Sequence, residues 1–159
     1  MCETLKARLG KLGIEAPATT VKPGANFLAT KRVENLLYVS GQVPVVDGVD
    51  RFSGKVGSDL SLEQGQEAAR ICAVNILSQV DLAVGGDWSQ VVGCVRLGGF
   101  VNAAANFSEH PKVINGASDL VIAVLGDAGR HTRAAVGCNS LPRNVAVEVD
   151  AIFELVPNK

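Results

Sequence analysis

Two residues in the last third of the chain have types and surroundings that suit chemistry: the cation Arg133 and the carboxylate Glu148. Both lie within residues 129–155, GRHTRAAVGCNSLPRNVAVEVDAIFEL, where their neighbours are small or apolar. An arginine among alanine and glycine residues has room beside it for a small anion. The pattern therefore favours a small-anion site in this segment.

The same segment predicts two strands joined by a short turn that contains Pro142. After the turn, apolar residues occupy alternate positions, which indicates a strand with one face in a core and the other in a wetter environment: Val145, Val147, Val149, Ala151 and Phe153. If the turn is centred near residues 141–143, Glu148 pairs with Ala135 or Val136. The spacing leaves open whether Arg133 and Glu148 meet within one chain or across an interface.

Two longer helices are predicted before this segment. The first begins at a capping box, in which Ser61 and Gln64 satisfy each other's backbone N–H groups, and ends at Gly85-Gly86. The second has Pro111 in its first turn, and Gly126 ends it. Their buried faces follow from apolar residues at helical intervals: Leu62, Ala69, Cys72, Ala73, Ile76, Leu77, Val80 and Val84 in the first, and Val113, Ile114, Ala117, Leu120, Val121, Val124 and Leu125 in the second.

The remaining elements are shorter or interrupted. Residues 36–39 and 91–101 are strand candidates, and turn residues between 47 and 57 indicate a hairpin or flap at an edge. Near the start, Leu5, Leu9 and Leu12 predict a short helix that ends near Gly13. The order of elements predicts an α+β fold with a single mixed or mostly antiparallel sheet and both longer helices on one side. The other side keeps apolar positions exposed, which favours self-association.

Composition limits the class of protein. The 159 residues suit a single domain over 1–159, and 15 Lys and Arg balance 16 Asp and Glu, so a general electrostatic attraction to nucleic acid is not expected. Four widely spaced cysteines and two histidines show no metal-ligand spacing, and we expect the cysteines to be small buried hydrophobes. The charged N-terminus and the short apolar runs predict a cytoplasmic, soluble protein with no membrane contact.

Several short motifs, taken in order, resemble the RidA family, also called the YjgF/YER057c/UK114 family. They are YVSGQVP at 38–44, RAAVG at 133–137, Leu141-Pro142 and VEVDA at 147–151, and the similarity extends from about residue 27 to residue 155. The resemblance implies a chorismate mutase-like fold of the bacillus type. It also implies a homotrimer in which the sheets pack into a central barrel and a ligand cleft lies at each subunit interface.

The resemblance assigns roles to individual residues. Arg133 matches the family's carboxylate-binding arginine, and Glu148 matches the acidic residue that positions or activates water. Asn115 falls at the position of a cleft asparagine, and Ser40 and Gly41 lie on the strand that lines the cleft. Two positions depart from the imine-hydrolysing branch: Phe27 stands where many members have tyrosine, and Ala135 where close members often have cysteine. With an N-terminal extension over residues 1–20, these departures indicate a divergent subgroup.

The implied reaction is the hydrolysis of 2-imino or 2-enamino acids to 2-keto acids and ammonia, without cofactor or metal. Arg133 would orient the substrate carboxylate and Glu148 would accept a proton from water. Two alternatives stay open: a non-catalytic or regulatory protein that binds small carboxylates, and an endoribonuclease or translation inhibitor. The balanced charge disfavours nucleic acid as a partner, although His131, two residues before Arg133, remains a minor candidate for that chemistry.

Overall fold

The computed structural model describes residues 3–18 and 20–157. Within these residues, three α-helices and seven strands follow one another. In order they are α1 (Leu5–Lys11), β1 (Thr30–Val33), β2 (Leu36–Gln42), β3 (Val45–Val46), β4 (Val49–Asp50), α2 (Leu62–Ala83), β5 (Val91–Asn102), α3 (His110–Leu125), β6 (Thr132–Cys138) and β7 (Val147–Leu155). Five strands form one mixed sheet in the order β1-β2-β7-β5-β6, while β3 and β4 form a small separate hairpin.

Both longer helices begin and end as the sequence predicts. Ser61 Oγ accepts a hydrogen bond from the Gln64 backbone N–H at 3.2 Å, and Gln64 Oε1 accepts one from the Ser61 N–H at 2.9 Å, so the capping box is confirmed. Pro111 occupies the first turn of α3. The two helices pack against each other and against one face of the sheet, α2 on β2 and β7 and α3 on β5 and β6.

The core lies between this face and the helices. The odd-numbered residues of β7 are buried and the even-numbered ones are partly exposed, as the alternation predicts. Leu5 and Leu9 of α1 join the core, whereas Leu12, the residue that follows the last turn of the helix, is 41% exposed. Cys72 and Cys94 are buried free thiols, and burial raises the pKa of Cys94 to about 12. Cys138 is partly buried, and Cys2 lies outside the described residues.

The predicted pairing of the last two strands is wrong. β6 pairs with β5 in parallel, and β7 pairs with the opposite edge of β5 in antiparallel orientation, so β5 lies between them. The reason is the crossover through α3, which returns the chain parallel to β5 and makes β6 the outer strand. The connection from β6 then passes over the end of β5, with Arg143 and Asn144 in the left-handed region at φ 54° and 57°. Phe100 of β5 therefore separates Val136 from Glu148 in one row across the sheet.

Candidate functional site

Arg133 is exposed on the outer strand β6 and its guanidinium is held by α3. Its Nη1 donates to Asn115 Oδ1 at 2.8 Å and to Ser118 Oγ at 3.1 Å, and its Nη2 donates to the carbonyl oxygen of Pro111 at 3.3 Å. An arginine has five N–H donors, two on each Nη and one on Nε. Three acceptors therefore leave the Nε–H and one Nη2–H without an acceptor among the residues that the structure describes.

Close packing of α3 on the sheet brings these acceptors to Arg133. A Cβ atom on Gly129 would lie 2.5 Å from the carbonyl oxygen of Val121, and one on Gly99 would lie 2.5 Å from the Ile114 side chain. Only glycine permits so short a separation at either position. The α3 helix therefore lies close to β5 and β6, and Asn115 and Ser118 fall beside Arg133.

A polar chain continues from Arg133 away from its exposed side. Ser118 Oγ lies 2.9 Å from His131 Nε2, and His131 Nδ1 lies 2.6 Å from the carbonyl oxygen of Gly129. Ser118 is 7% exposed. His131 is thus linked to Arg133 indirectly, through a serine within an otherwise apolar helix face.

The groove between β6 and α3 has a floor of small residues. Ala135 is partly buried and shares the helix-facing side of β6 with Arg133 and Gly137. A Cβ atom on Gly137 would lie 2.3 Å from His110 Nε2, so the imidazole occupies the space that a larger residue would fill. Sequence analysis missed His110, because its contact with Gly137 depends on how α3 packs on the sheet.

Glu148 lies on the face of the sheet opposite to the one on which α2 and α3 pack. A Cβ atom on Gly41 would lie 2.1 Å from Glu148 Oε1, so the carboxylate rests against the backbone of β2. The regular pairing of β2 with β7 is interrupted between Val39 and Gln42, and Ser40 and Gly41 occupy that irregularity. Among residues 3–18 and 20–157, no side chain or backbone group donates a hydrogen bond to the carboxylate of Glu148.

The environment of Glu148 raises its pKa above the ordinary carboxyl value. Burial is the largest cause, and the negative charge of Asp150 adds to it, while the positive charge of Arg143 acts in the opposite direction. Asp150 is itself paired with Arg96, at 2.8 Å between Oδ1 and Nη1. This pair covers Gly98, where a Cβ atom would lie 2.7 Å from Asp150 Oδ1.

Ser40 links β2 to the segment that carries Phe27. Its hydroxyl donates to the carbonyl oxygen of Leu28 at 2.6 Å, and its backbone N–H donates to that of Ala29 at 2.9 Å. The Phe27 side chain is 49% exposed. The structure therefore places the predicted site residues in two groups: Arg133, Asn115 and Ala135 at the helix-facing edge, and Glu148, Ser40 and Gly41 on the open face. Phe27 lies close in sequence to the segment that Ser40 holds.

A cavity of about 1020 Å³ lies elsewhere. It is lined by residues 13–18 and 20–22, the β3–β4 hairpin and the first half of α2, with Arg143 at its border. Neither Arg133 nor Glu148 lines it. We place the candidate site at Arg133 nonetheless, because unused N–H donors indicate a ligand more directly than volume does.

In the described part of the chain, no cluster of His, Cys, Asp or Glu is arranged to hold a metal ion. None of the helices in that part is long and apolar enough to cross a bilayer.

Comparisons with known proteins identify the family. Residues 6–155 match a family model described as "YjgF/chorismate_mutase-like, putative endoribonuclease". The chain is 43% identical to protein TCP17 of Trypanosoma cruzi over 150 residues, which cover 94% of this chain and 92% of TCP17. It is 47% identical to the protein Atu1372 of Agrobacterium tumefaciens, whose crystal structure superimposes with a TM-score of 0.88. The superposition covers 94% of this chain and 91% of Atu1372.

A more distant structure shares the fold. It is the crystal structure of Escherichia coli TdcF with bound serine, a protein 20% identical to this chain. The two superimpose with a TM-score of 0.57 over 87% of this chain and 92% of TdcF. The predicted α+β, chorismate mutase-like fold is therefore confirmed. The match over residues 6–155 and the identity to TCP17 show that this chain belongs to the YjgF/chorismate mutase-like family, the RidA family of the motifs above.

Proposed function

We propose that this protein hydrolyses 2-imino and 2-enamino acids to 2-keto acids and ammonia. The observation that carries the proposal is the state of Arg133, whose Nη1 is fully engaged by Asn115 and Ser118 while the Nε–H and one Nη2–H lack an acceptor within the described residues. In a guanidinium, the Nε–H and the Nη2–H next to it form one edge, which matches a bidentate carboxylate. A substrate carboxylate bound there would have its C2 atom held close to β6.

The reaction needs a positioned water and a proton acceptor. Water attacks C2 of the imine, a C–O bond forms, and Glu148 takes the proton that the water loses. The electron pair of the C=N bond goes to the nitrogen, which gives a carbinolamine, and Glu148 returns its proton to that nitrogen. The hydroxyl then loses its proton to Glu148 as its oxygen forms the C=O bond, the C–N bond breaks, and ammonia leaves behind a 2-keto acid. An enamino acid first tautomerises to the imine. Because a protonated imine is already electrophilic, this sequence requires neither a cofactor nor a metal.

Glu148 suits the role of proton acceptor. Its carboxylate accepts no hydrogen bond from a donor in residues 3–18 and 20–157, so its lone pairs are available to water. Its raised pKa, caused mainly by burial, makes its carboxylate a stronger base than an exposed glutamate. The carboxylate would act as the base above this pKa and would lose activity as the pH falls through it.

The two groups lie on opposite faces of the sheet, so the proposal requires a second protomer. We propose a homotrimer in which β6 of one protomer lies against the open face of the next and Glu148 of that second protomer approaches Arg133. The open face supports this arrangement, because Tyr38, Phe100 and Val136 are 43%, 38% and 47% exposed there. Such apolar exposure on one face of a sheet favours burial by another subunit.

The remaining predicted residues would line the resulting cleft. Asn115 orients Arg133, and Ala135 provides space beside it for a small substrate side chain. Ser40 and Gly41 would face the cleft from the Glu148 side, with Phe27 as an apolar wall that lacks a phenol hydroxyl. We further propose a cytoplasmic location, on the grounds of the sequence.

The two alternatives make different demands on the same residues. A non-catalytic carboxylate-binding protein would use Arg133 in the same way and would leave Glu148 without a function. An endoribonuclease would need a free imidazole at His131, yet both of its ring nitrogens are within 2.9 Å of protein partners, Ser118 and the Gly129 carbonyl. The geometry therefore supports hydrolysis of a small acid over RNA cleavage.

The test is acceleration of imine hydrolysis. An amino acid oxidase with catalase generates 2-iminobutyrate from 2-aminobutyrate, and semicarbazide traps the imine that remains. The wild type should lower the trapped fraction, and Arg133→Ala should abolish this effect. Arg130→Ala is the matched control, because Arg130 is a neighbouring arginine that is paired with Asp127 at 3.3 Å and largely exposed. Saturable 2-ketobutyrate binding without any rate effect would instead establish the binding protein.

A further inference from the structure

The chain of hydrogen bonds behind Arg133 is longer than carboxylate binding alone requires. We propose that His131 and Ser118 are positioning residues that fix the orientation of the Arg133 guanidinium for its ligand, a small 2-keto or 2-imino carboxylate. This inference deepens the proposed function and rests on its assignment of Arg133 to the substrate carboxylate. Neither residue touches that ligand itself.

The direction of each hydrogen bond follows from the chemistry of its atoms. The Gly129 carbonyl oxygen can only accept, so His131 Nδ1, at 2.6 Å, carries a proton. In a neutral imidazole the other nitrogen, Nε2, is then an acceptor. Ser118 Oγ accepts from Arg133 Nη1 at 3.1 Å and is free to donate its own proton to His131 Nε2 at 2.9 Å. All donors and acceptors in the chain are consistent with this one arrangement.

The arrangement determines which edge of the guanidinium faces outward. Asn115 and Ser118 use both Nη1 hydrogens, and because the guanidinium is planar, two fixed hydrogens on Nη1 fix the whole group. The Nε–H and the remaining Nη2–H then keep one direction before a ligand arrives. A side chain ordered in advance loses less conformational entropy on binding.

The last member of this chain of hydrogen bonds is a backbone carbonyl, and the surrounding structure fixes its position. Gly129 is buried, and a Cβ atom there would lie 2.5 Å from the Val121 carbonyl oxygen, so α3 holds this residue in place. The carbonyl that accepts from His131 is therefore an anchored group. His131 transfers that fixed position through Ser118 to Arg133.

Carboxylate affinity is the first test. Calorimetry with 2-ketobutyrate should show roughly three- to tenfold weaker binding for His131→Ala and for Ser118→Ala. The double variant should lose no more affinity than either single one, because both break the same chain. His131→Gln should recover most of the affinity, since its amide oxygen can accept from Ser118. Unchanged affinity in both single variants, or losses that add in the double variant, would overturn the inference.

The histidine tautomer is the second test, and it does not depend on activity. The protein has two histidines, His110 and His131, so ¹⁵N spectra contain two imidazoles and the His131→Ala variant assigns them. We expect His131 to carry its proton on Nδ1, the nitrogen that faces the Gly129 carbonyl. A proton on Nε2 would contradict the proposed chain of hydrogen bonds.

The two proposals can fail separately. If the wild type binds 2-ketobutyrate but never accelerates imine hydrolysis, only the deaminase proposal fails. If the wild type accelerates the hydrolysis but the His131 and Ser118 variants keep its affinity, only the positioning role is refuted.

Discussion

On the helix-covered face of the sheet, Arg133 has three protein acceptors, and its hydrogen bonds continue through Ser118 to His131 and the backbone. On the open face, Glu148 rests against Gly41, and no donor within residues 3–18 and 20–157 reaches its carboxylate. The first environment orders a cation and leaves one edge of it free. The second partly buries a carboxylate, and this burial is the main cause of its raised pKa.

This contrast indicates how the two groups would divide the work. A group that binds a carboxylate benefits from being ordered before the ligand arrives, because less entropy is lost on binding. A group that accepts a proton benefits from a raised pKa and from lone pairs that remain available. Since one β-strand separates the two rows of residues, a single protomer keeps these environments apart, and only a second protomer would bring them together.

The largest expected effect comes from removing the base on the open face. Glu148→Gln should lower the rate of imine hydrolysis by about 10²- to 10⁴-fold, because the amide cannot accept the proton of water. Binding of 2-ketobutyrate should change little, since Arg133 is intact. Glu154→Gln, on the same face of β7, is the matched control and should keep the rate. Equal loss of binding and rate in Glu148→Gln would show that the two faces do not divide the work as proposed.

Substitution of two adjacent glycines of β5 tests whether the two faces of the sheet differ in how tightly they pack. A Cβ atom on Gly99 would lie 2.5 Å from the packed Ile114 side chain, whereas one on Gly98 would meet the ends of the flexible Asp150 and Arg96 side chains. Gly99→Ala should therefore lower the free energy of unfolding by about 1–3 kcal/mol, and Gly98→Ala by clearly less. Urea unfolding of the two variants measures the difference. A larger loss for Gly98→Ala would mean that the open face is the more rigid one.

A smaller effect concerns the pH dependence of the rate. Asp150→Asn removes a negative charge that raises the pKa of Glu148. It also frees Arg96 from its ion pair, and the positive charge of Arg96 lowers the pKa of Glu148 as well. The pKa of Glu148 should fall, so the loss of activity on the acidic side should move to lower pH. Rate profiles from pH 4 to pH 8 test this. No shift, or a shift to higher pH, would contradict the assigned cause.

The same raised pKa affects stability. A carboxyl whose pKa is higher in the folded than in the unfolded state stabilises the fold below its unfolded pKa, and this contribution is lost as the pH rises through its folded pKa. Glu148→Gln lacks this titration. Its Tm should exceed that of the wild type at neutral pH, and the difference should vanish below about pH 4.

Much of the fold follows from local patterns in the sequence. The capping box at Ser61 and the alternation in β7 both predict their elements correctly, because helix caps and strand faces depend on near neighbours. The insertion of β5 between β6 and β7 could not be predicted in this way. Strand pairing is non-local, and the short connection from β6 to β7 suggests a hairpin as readily as a crossing over the end of β5.

The site was less predictable than the fold. The motif around Arg133 points to a carboxylate site, but β6 is mostly exposed, so alternation could not show which of its sides faces α3. Ser118 was hidden for the opposite reason, since a single serine within an apolar helix face gives no signal of its own. The separation of Arg133 from Glu148 is a result of strand order, which only the three-dimensional arrangement reveals.

The central claim is that Arg133 of one protomer and Glu148 of another act on the same substrate. Arg133→Ala and Glu148→Gln chains, each inactive alone, can be unfolded, mixed in equal amounts and refolded together. In randomly mixed trimers about a quarter of the interfaces would combine an intact arginine with an intact glutamate, so about a quarter of wild-type activity should return. If the mixture stays as inactive as its components although mixed assemblies form, the two residues do not share a site between protomers.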